Sequence, residues 1–147
     1  MTSYSYKELV DAFIKTYGED ELAEYLINRL SPGDDTLTII GNAGLHTIPK
    51  QYLHGDIYEV SAGNLNLATK ESTLNEYRRV LIPLAEKLQE KSWKKVYLIP
   101  TGHTTLVLQI KLLVYHILRI STIDLFYSKG SYFELEIDYR HMLEECP

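Results

Sequence analysis

Three short runs of small polar residues carry most of the chemical potential of this sequence. They are Gly41-Asn42-Ala43-Gly44, Ser61-Ala62-Gly63-Asn64 and Thr101-Gly102-His103-Thr104-Thr105. Such runs bring backbone amides, hydroxyls and side-chain amides together with little steric bulk. That is the chemistry that holds a phosphate or a nucleotide. The third run also opens a helical pattern, and a helix N-terminus attracts an anion. The expected ligand contacts are Gly41, Asn42, Ala43, Gly44, Ser61, Gly63, Asn64, Thr101, Gly102, His103, Thr104 and Thr105. Each also has a plainer use: Gly41 and Gly44 as turn glycines, Thr101 and Thr104 as caps of the next helix. Only their conjunction favours a ligand.

Candidates for catalysis are few. His103 stands in the third run, where a proton donor or anion partner would act, and Ser61 is a nucleophile by position only. His46 and His54 flank a short segment that would reach the same rim, whereas His116 and His141 have no metal-ligand spacing. No Walker A loop, no G-x-G-x-x-G and no G-x-S-x-G is present. Neither a metal nor a cofactor is expected. The sole cysteine, Cys146, excludes an intramolecular disulfide and a Cys-rich zinc site.

The elements that must position these runs are legible from periodicity and capping signals. Ser5 and Glu8 have the spacing of a capping box, so a helix follows with Leu9, Val10, Phe13, Ile14 and Tyr17 on one face and Gly18 as its cap. A second helix starts near Asp20. Strands are expected at 36–40, 57–60, 95–99 and 122–127, and Lys129-Gly130 reads as the tight turn into a fifth, antiparallel strand at 132–137. A brief helix should begin at Pro49. A long helix capped by Thr69 or Ser72 carries a stripe of Leu74, Tyr77, Leu81, Leu84 and Leu88, with a kink or break at Pro83. Another runs from 104 to about 120.

Strand–helix alternation implies a parallel sheet. The fold class is therefore α/β: a Rossmann-like, mostly parallel sheet with a C-terminal antiparallel hairpin, preceded by a helical hairpin. The domains are 1–33 and 34–147. In such sheets ligands bind beyond the carboxyl ends of the strands, where all three runs would lie.

On the last long helix, Leu108, Leu112 and Tyr115 form a second apolar stripe away from the sheet-facing side. It either meets the N-terminal helices or makes a homo-oligomer, most simply a dimer.

Composition bounds the partners. The 147 residues carry a net charge of -5, and no basic run exceeds two residues. Duplex DNA and long RNA are poor partners for such a surface, and Glu19, Asp20, Glu21 and Glu24 disfavour a DNA-reading hairpin. The first six residues have neither a basic nor an apolar region of a signal peptide. The apolar stretch at 106–120 is too short and polar for a bilayer. A cytoplasmic protein without a membrane span is expected.

The segment Val96-Tyr97-Leu98-Ile99-Pro100-Thr101-Gly102-His103-Thr104-Thr105, with its apolar helix and the strand Ile123-Asp124-Leu125-Phe126-Tyr127, resembles CARF and SAVED domains. These are Rossmann-like sensors of cyclic oligonucleotides in prokaryotic antiviral defence of the CRISPR and CBASS types. Thr38-Ile39-Ile40-Gly41-Asn42-Ala43-Gly44 resembles their first-strand segment. The resemblance covers roughly residues 34–139. It departs from the family after the Thr-Gly turn, where Thr104 and Thr105 stand in place of a frequent Lys or Arg and the nearest basic residue is Lys111. It implies a homodimer that binds cyclic oligoadenylate across its two-fold axis. Some relatives are ring nucleases, in which the ligand's own 2′-hydroxyl attacks the phosphate. A nucleotide- or phosphosugar-binding protein outside immunity is the third expectation.

Overall fold

The computed structural model describes residues 4–30 and 35–147. The chain divides into two units, Met1–Asp34 and Asp35–Pro147. In the first unit, α1 (Tyr6–Tyr17) begins at a complete capping box. The Glu8 carboxylate accepts from the Ser5 amide, and the Ser5 hydroxyl accepts from the Glu8 amide. Gly18, at φ +95°, ends the helix. α2 (Glu19–Leu30) follows, and the rings of Phe13, Tyr17 and Tyr25 pack together between the two helices.

The second unit is built on five strands: β1 (Thr36–Ala43), β2 (Asp56–Ala62), β3 (Lys95–Ile99), β4 (Ile123–Ser128) and β5 (Ser131–Leu135). Their spatial order is β2-β1-β3-β4-β5. The first four are parallel and β5 is antiparallel to β4. Lys129 and Gly130 both have positive φ, the conformation a tight hairpin turn requires. The architecture is thus the α/β class with a C-terminal antiparallel hairpin and two N-terminal helices.

One sheet face is covered by α3 (Lys70–Gln89) and α4 (Thr104–Leu118). Leu37, Ile39, Val60, Val96 and Leu98 from the sheet form one core with Val80, Leu84 and Leu88 of α3 and Leu106, Val107, Ile110 and Val114 of α4. The opposite face is covered by the segment between β1 and β2, which contains only a single 3₁₀ turn, Lys50–Tyr52. There the His54 ring lies on Tyr97, centroids 4.1 Å apart, and its imidazole pairs with Glu134. A final short helix, α5 (Tyr139–Glu144), had no clear signal in the sequence.

Three expectations need correction. The strands β1 and β2 continue through Ala43 and Ala62, so Gly41, Asn42, Ala43 and Ser61 are strand residues rather than loop residues, with Asn42 paired to Ser61 and Ala43 to Ala62. Leu74 is 53% exposed and not part of the buried stripe, which starts one turn later at Tyr77 and includes Val80. Pro83 does not break α3. It lies on the exposed side of the helix, where water can reach the carbonyl that its missing N–H leaves unpaired.

Candidate functional site

The strand order fixes where a site can form. From β1 the chain crosses to β2 on one side, and from β3 it crosses to β4 on the other. The carboxyl ends of β1 and β3 are therefore neighbours whose following segments diverge, which opens a crevice at the sheet edge.

Local chemistry holds this edge together. Regular pairing of β1 with β3 ends at Ile40 and Ile99, because the next residue on β3, Pro100, has no N–H to give. The Thr101 side chain replaces the ladder. Its Oγ1 accepts from the Asn42 amide at 3.0 Å and donates to the Asn42 carbonyl at 2.7 Å. Gly41 is required here, since a methyl group would overlap the Thr101 carbonyl oxygen. Gly102, at φ +98°, sits over Asn42; a Cβ on it would lie 2.9 Å from the Asn42 Cβ.

Asn42 also ties in the second loop. Its Nδ2 donates to the Gly63 carbonyl at 2.8 Å. One residue thus links all three polar runs, by its side chain to Gly63 and by its backbone to the Thr101 hydroxyl. Asn42 is only 5% exposed, and its Oδ1 is buried with no hydrogen-bond partner. A buried amide oxygen normally finds a donor, so this orphan acceptor marks the junction as chemically unfinished.

The structure therefore unites Gly41, Asn42, Ser61, Gly63, Thr101 and Gly102. It changes several of their roles. Ser61 is 7% exposed and donates to the Gly41 carbonyl at 2.7 Å, so its hydroxyl points into the strand pair and is not offered as a nucleophile. Thr101 does not cap α4. The N-cap is His103, and its side chain makes no capping hydrogen bond. Thr104 is exposed in the first turn, whereas the Thr105 hydroxyl is bonded to the Tyr77 hydroxyl of α3. Gly44 and Gly63 have positive φ and open space where a Cβ would be, and Asn64 is exposed.

Lys111 is the nearest basic residue after the Thr101-Gly102 turn. Its ammonium is held by Asp124 and by Thr122 Oγ1 at 2.8 Å, so it is committed within the fold and not to a phosphate. Among the described residues no group of three or more His, Cys, Asp or Glu could hold a metal. No described helix is long and apolar enough to cross a membrane.

His46 and His54 are separated by the structure. His54 lies on the sheet face against Tyr97 and is not on the rim. His46 lines a cleft of about 660 Å³ beside the carboxyl end of β3, with Ile48, Pro100, Thr101, Tyr127 and Tyr132 among its walls. The tyrosines escaped the sequence reading, although they flank the Lys129-Gly130 turn at directly paired positions of the hairpin.

No family model, curated protein or solved structure matches this chain.

The chain's own geometry is therefore what bears on function. It gathers Asn42, Gly41, Gly63 and Gly102 at the point where the sheet reverses order, beside an uncapped α4 start and an aromatic cleft. Such an edge can receive a small anion on backbone amides and a planar group beside it.

Proposed function

We propose that the protein is a sensor module for a cyclic oligonucleotide of the oligoadenylate class in prokaryotic antiviral defence. In this reading the ligand lies over the carboxyl ends of β1 and β3. The observation that carries it is the junction at Asn42, where one residue, through its backbone and its side chain, ties together all three small-residue runs beside the reversal point of a Rossmann-like sheet. Phosphates meet the amides of the Gly102–Thr105 turn, and the small side chains leave room for a ring.

The ligand site is completed by a second copy of the chain. Leu108, Leu112 and Tyr115, on the helix that starts at the site, are 52%, 62% and 53% exposed. Pairing two copies along α4 would hide this stripe and set two sites about one axis, which suits a ligand of matching symmetry.

A sensor is favoured over a ring nuclease by His103, whose side chain has no orienting hydrogen bond to set it as a proton donor. Incubation with a panel of cyclic and linear oligoadenylates, followed by calorimetry and product analysis, tests this. Tight binding with the ring left intact is the expected result. Linear products would make the protein a ring nuclease. Binding of mononucleotides or phosphosugars in preference to rings would place it outside immunity.

A further inference from the structure

The phosphate-binding loop and the aromatic cleft are adjacent but chemically different. They share Thr101, which belongs to the Asn42 junction and also lines the cleft. The cleft's volume of about 660 Å³ falls within the usual range for small-molecule sites. Its walls offer ring faces and few charges.

Tyr132 has two aromatic neighbours. Tyr52 packs on it with centroids 5.5 Å apart and donates its hydroxyl to the Tyr132 carbonyl at 3.3 Å. Tyr127 also packs on it, centroids 4.9 Å apart. A ring fixed in this way loses little freedom when a ligand stacks on the pair. Tyr127 is 60% exposed, a large apolar surface in the lining of the cleft. Gly130, in the turn between the two tyrosines, has open space where a side chain would stand. His46, also in the lining, supplies a ring nitrogen that can donate or accept. Pro100 contributes a flat apolar wall with no competing N–H.

We propose that this cleft is a nucleobase slot that takes the purine of a nucleotide whose phosphate lies at the Gly102 turn. Rings stack on the Tyr127–Tyr132 pair, and His46 meets an edge of the base. The proposal rests on the nucleotide reading above and deepens it, because it separates base recognition from phosphate recognition. Stacking on aromatic side chains is tolerant of base identity, so discrimination falls to His46.

The test uses the full chain and two half-ligands, adenosine and ribose 5-phosphate, observed by saturation-transfer NMR. Adenosine should bind wild type weakly. Tyr127→Ala should reduce its affinity about ten- to hundredfold, the range expected for loss of one stacking ring. Tyr127→Phe, which keeps the ring, should restore it, and this separates a stacking role from damage to the hairpin. Binding of adenosine that is equal in wild type and Tyr127→Ala overturns the slot. Binding of ribose 5-phosphate without adenosine also overturns the slot while leaving the phosphate site intact. If neither half-ligand binds, both the slot and the nucleotide reading fail.

Discussion

The side-chain hydroxyl of Thr101 bonds to both backbone polar groups of Asn42, at 3.0 Å from the amide and 2.7 Å to the carbonyl. It does the work of a missing rung in the sheet. Thr101→Val keeps the shape and removes the hydroxyl, so a buried N–H and C=O lose their partner. That should cost about 1–3 kcal/mol. Thr101→Ser should retain most of the stability. Urea unfolding reads both. An unchanged midpoint in Thr101→Val would show that the strand ends do not depend on this contact.

Two glycines at the same edge should respond differently to alanine. At Gly41 the added methyl group meets the backbone carbonyl of Thr101, so the ends of β1 and β3 must part. At Gly63 the space is open, and only the positive φ of +74° resists a side chain. Gly63→Ala should cost ~1–2 kcal/mol, the ordinary penalty of a left-handed conformation. Gly41→Ala should cost more, because backbone overlap cannot be relieved by rotating a side chain. Thermal unfolding of the pair decides this. Equal shifts would mean that the β1–β3 edge is looser than its geometry.

The same residues explain what the sequence disclosed and what it hid. Local signals were sufficient for the Ser5–Glu8 capping box, for β3 at Lys95–Ile99 and for the Lys129-Gly130 turn. Each depends on neighbours a few positions apart. The true ends of β1 and β2 depend on Thr101, which is 59 residues from Asn42, and on Ser61 reaching back to Gly41. No window along the chain contains that information. Leu74 shows a related limit: periodicity gives the apolar face of a helix but not the turn at which packing begins. The cleft was hidden for a third reason. Its walls come from the segment after β1, the end of β3 and the β4–β5 hairpin.

The capping box of α1 makes a pH prediction with a definite sign. The Ser5 amide, first, and the Ser5 hydroxyl, second, donate to the Glu8 carboxylate and hold its pKa below the ordinary glutamate value. A group depressed in this way adds stability above its unfolded pKa. That contribution is lost as pH falls through the lower, folded value. A carboxyl carbon-13 titration should place the Glu8 midpoint below that of an unstructured glutamate. Glu8→Gln should keep the helix start and abolish its response to acid. A midpoint at or above the ordinary value would show that the box does not persist in solution.

Association through α4 is expected to be apolar. Leu112 is the most exposed residue of the Leu108–Leu112–Tyr115 stripe. Burying a carboxylate in a paired copy of that stripe is costly without a partner, so Leu112→Glu should shift the assembly towards monomer. The isolated chain should stay folded, because this side chain already faces solvent. Sedimentation equilibrium would read the change. A wild-type mass of 17.0 kDa at high micromolar concentration would remove the dimer from the proposal.

His103 separates the two leading activities. It occupies the N-cap of α4 without capping it, so its imidazole is not spent on the helix. It can therefore be removed with little effect on folding. In a sensor, His103→Ala removes at most one hydrogen bond to a charged phosphate, a loss of about 1.5–3 kcal/mol in binding. The ring should remain intact in both proteins. In a ring nuclease that uses this side chain to protonate the leaving oxygen, affinity should persist while cleavage falls about 10²- to 10⁴-fold. Measuring affinity by calorimetry and ring opening by chromatography on the same samples distinguishes the two outcomes. The sensor reading predicts the first: weaker binding with no turnover to lose. Measurable wild-type ring opening that collapses in His103→Ala would overturn it and make His103 a catalytic residue.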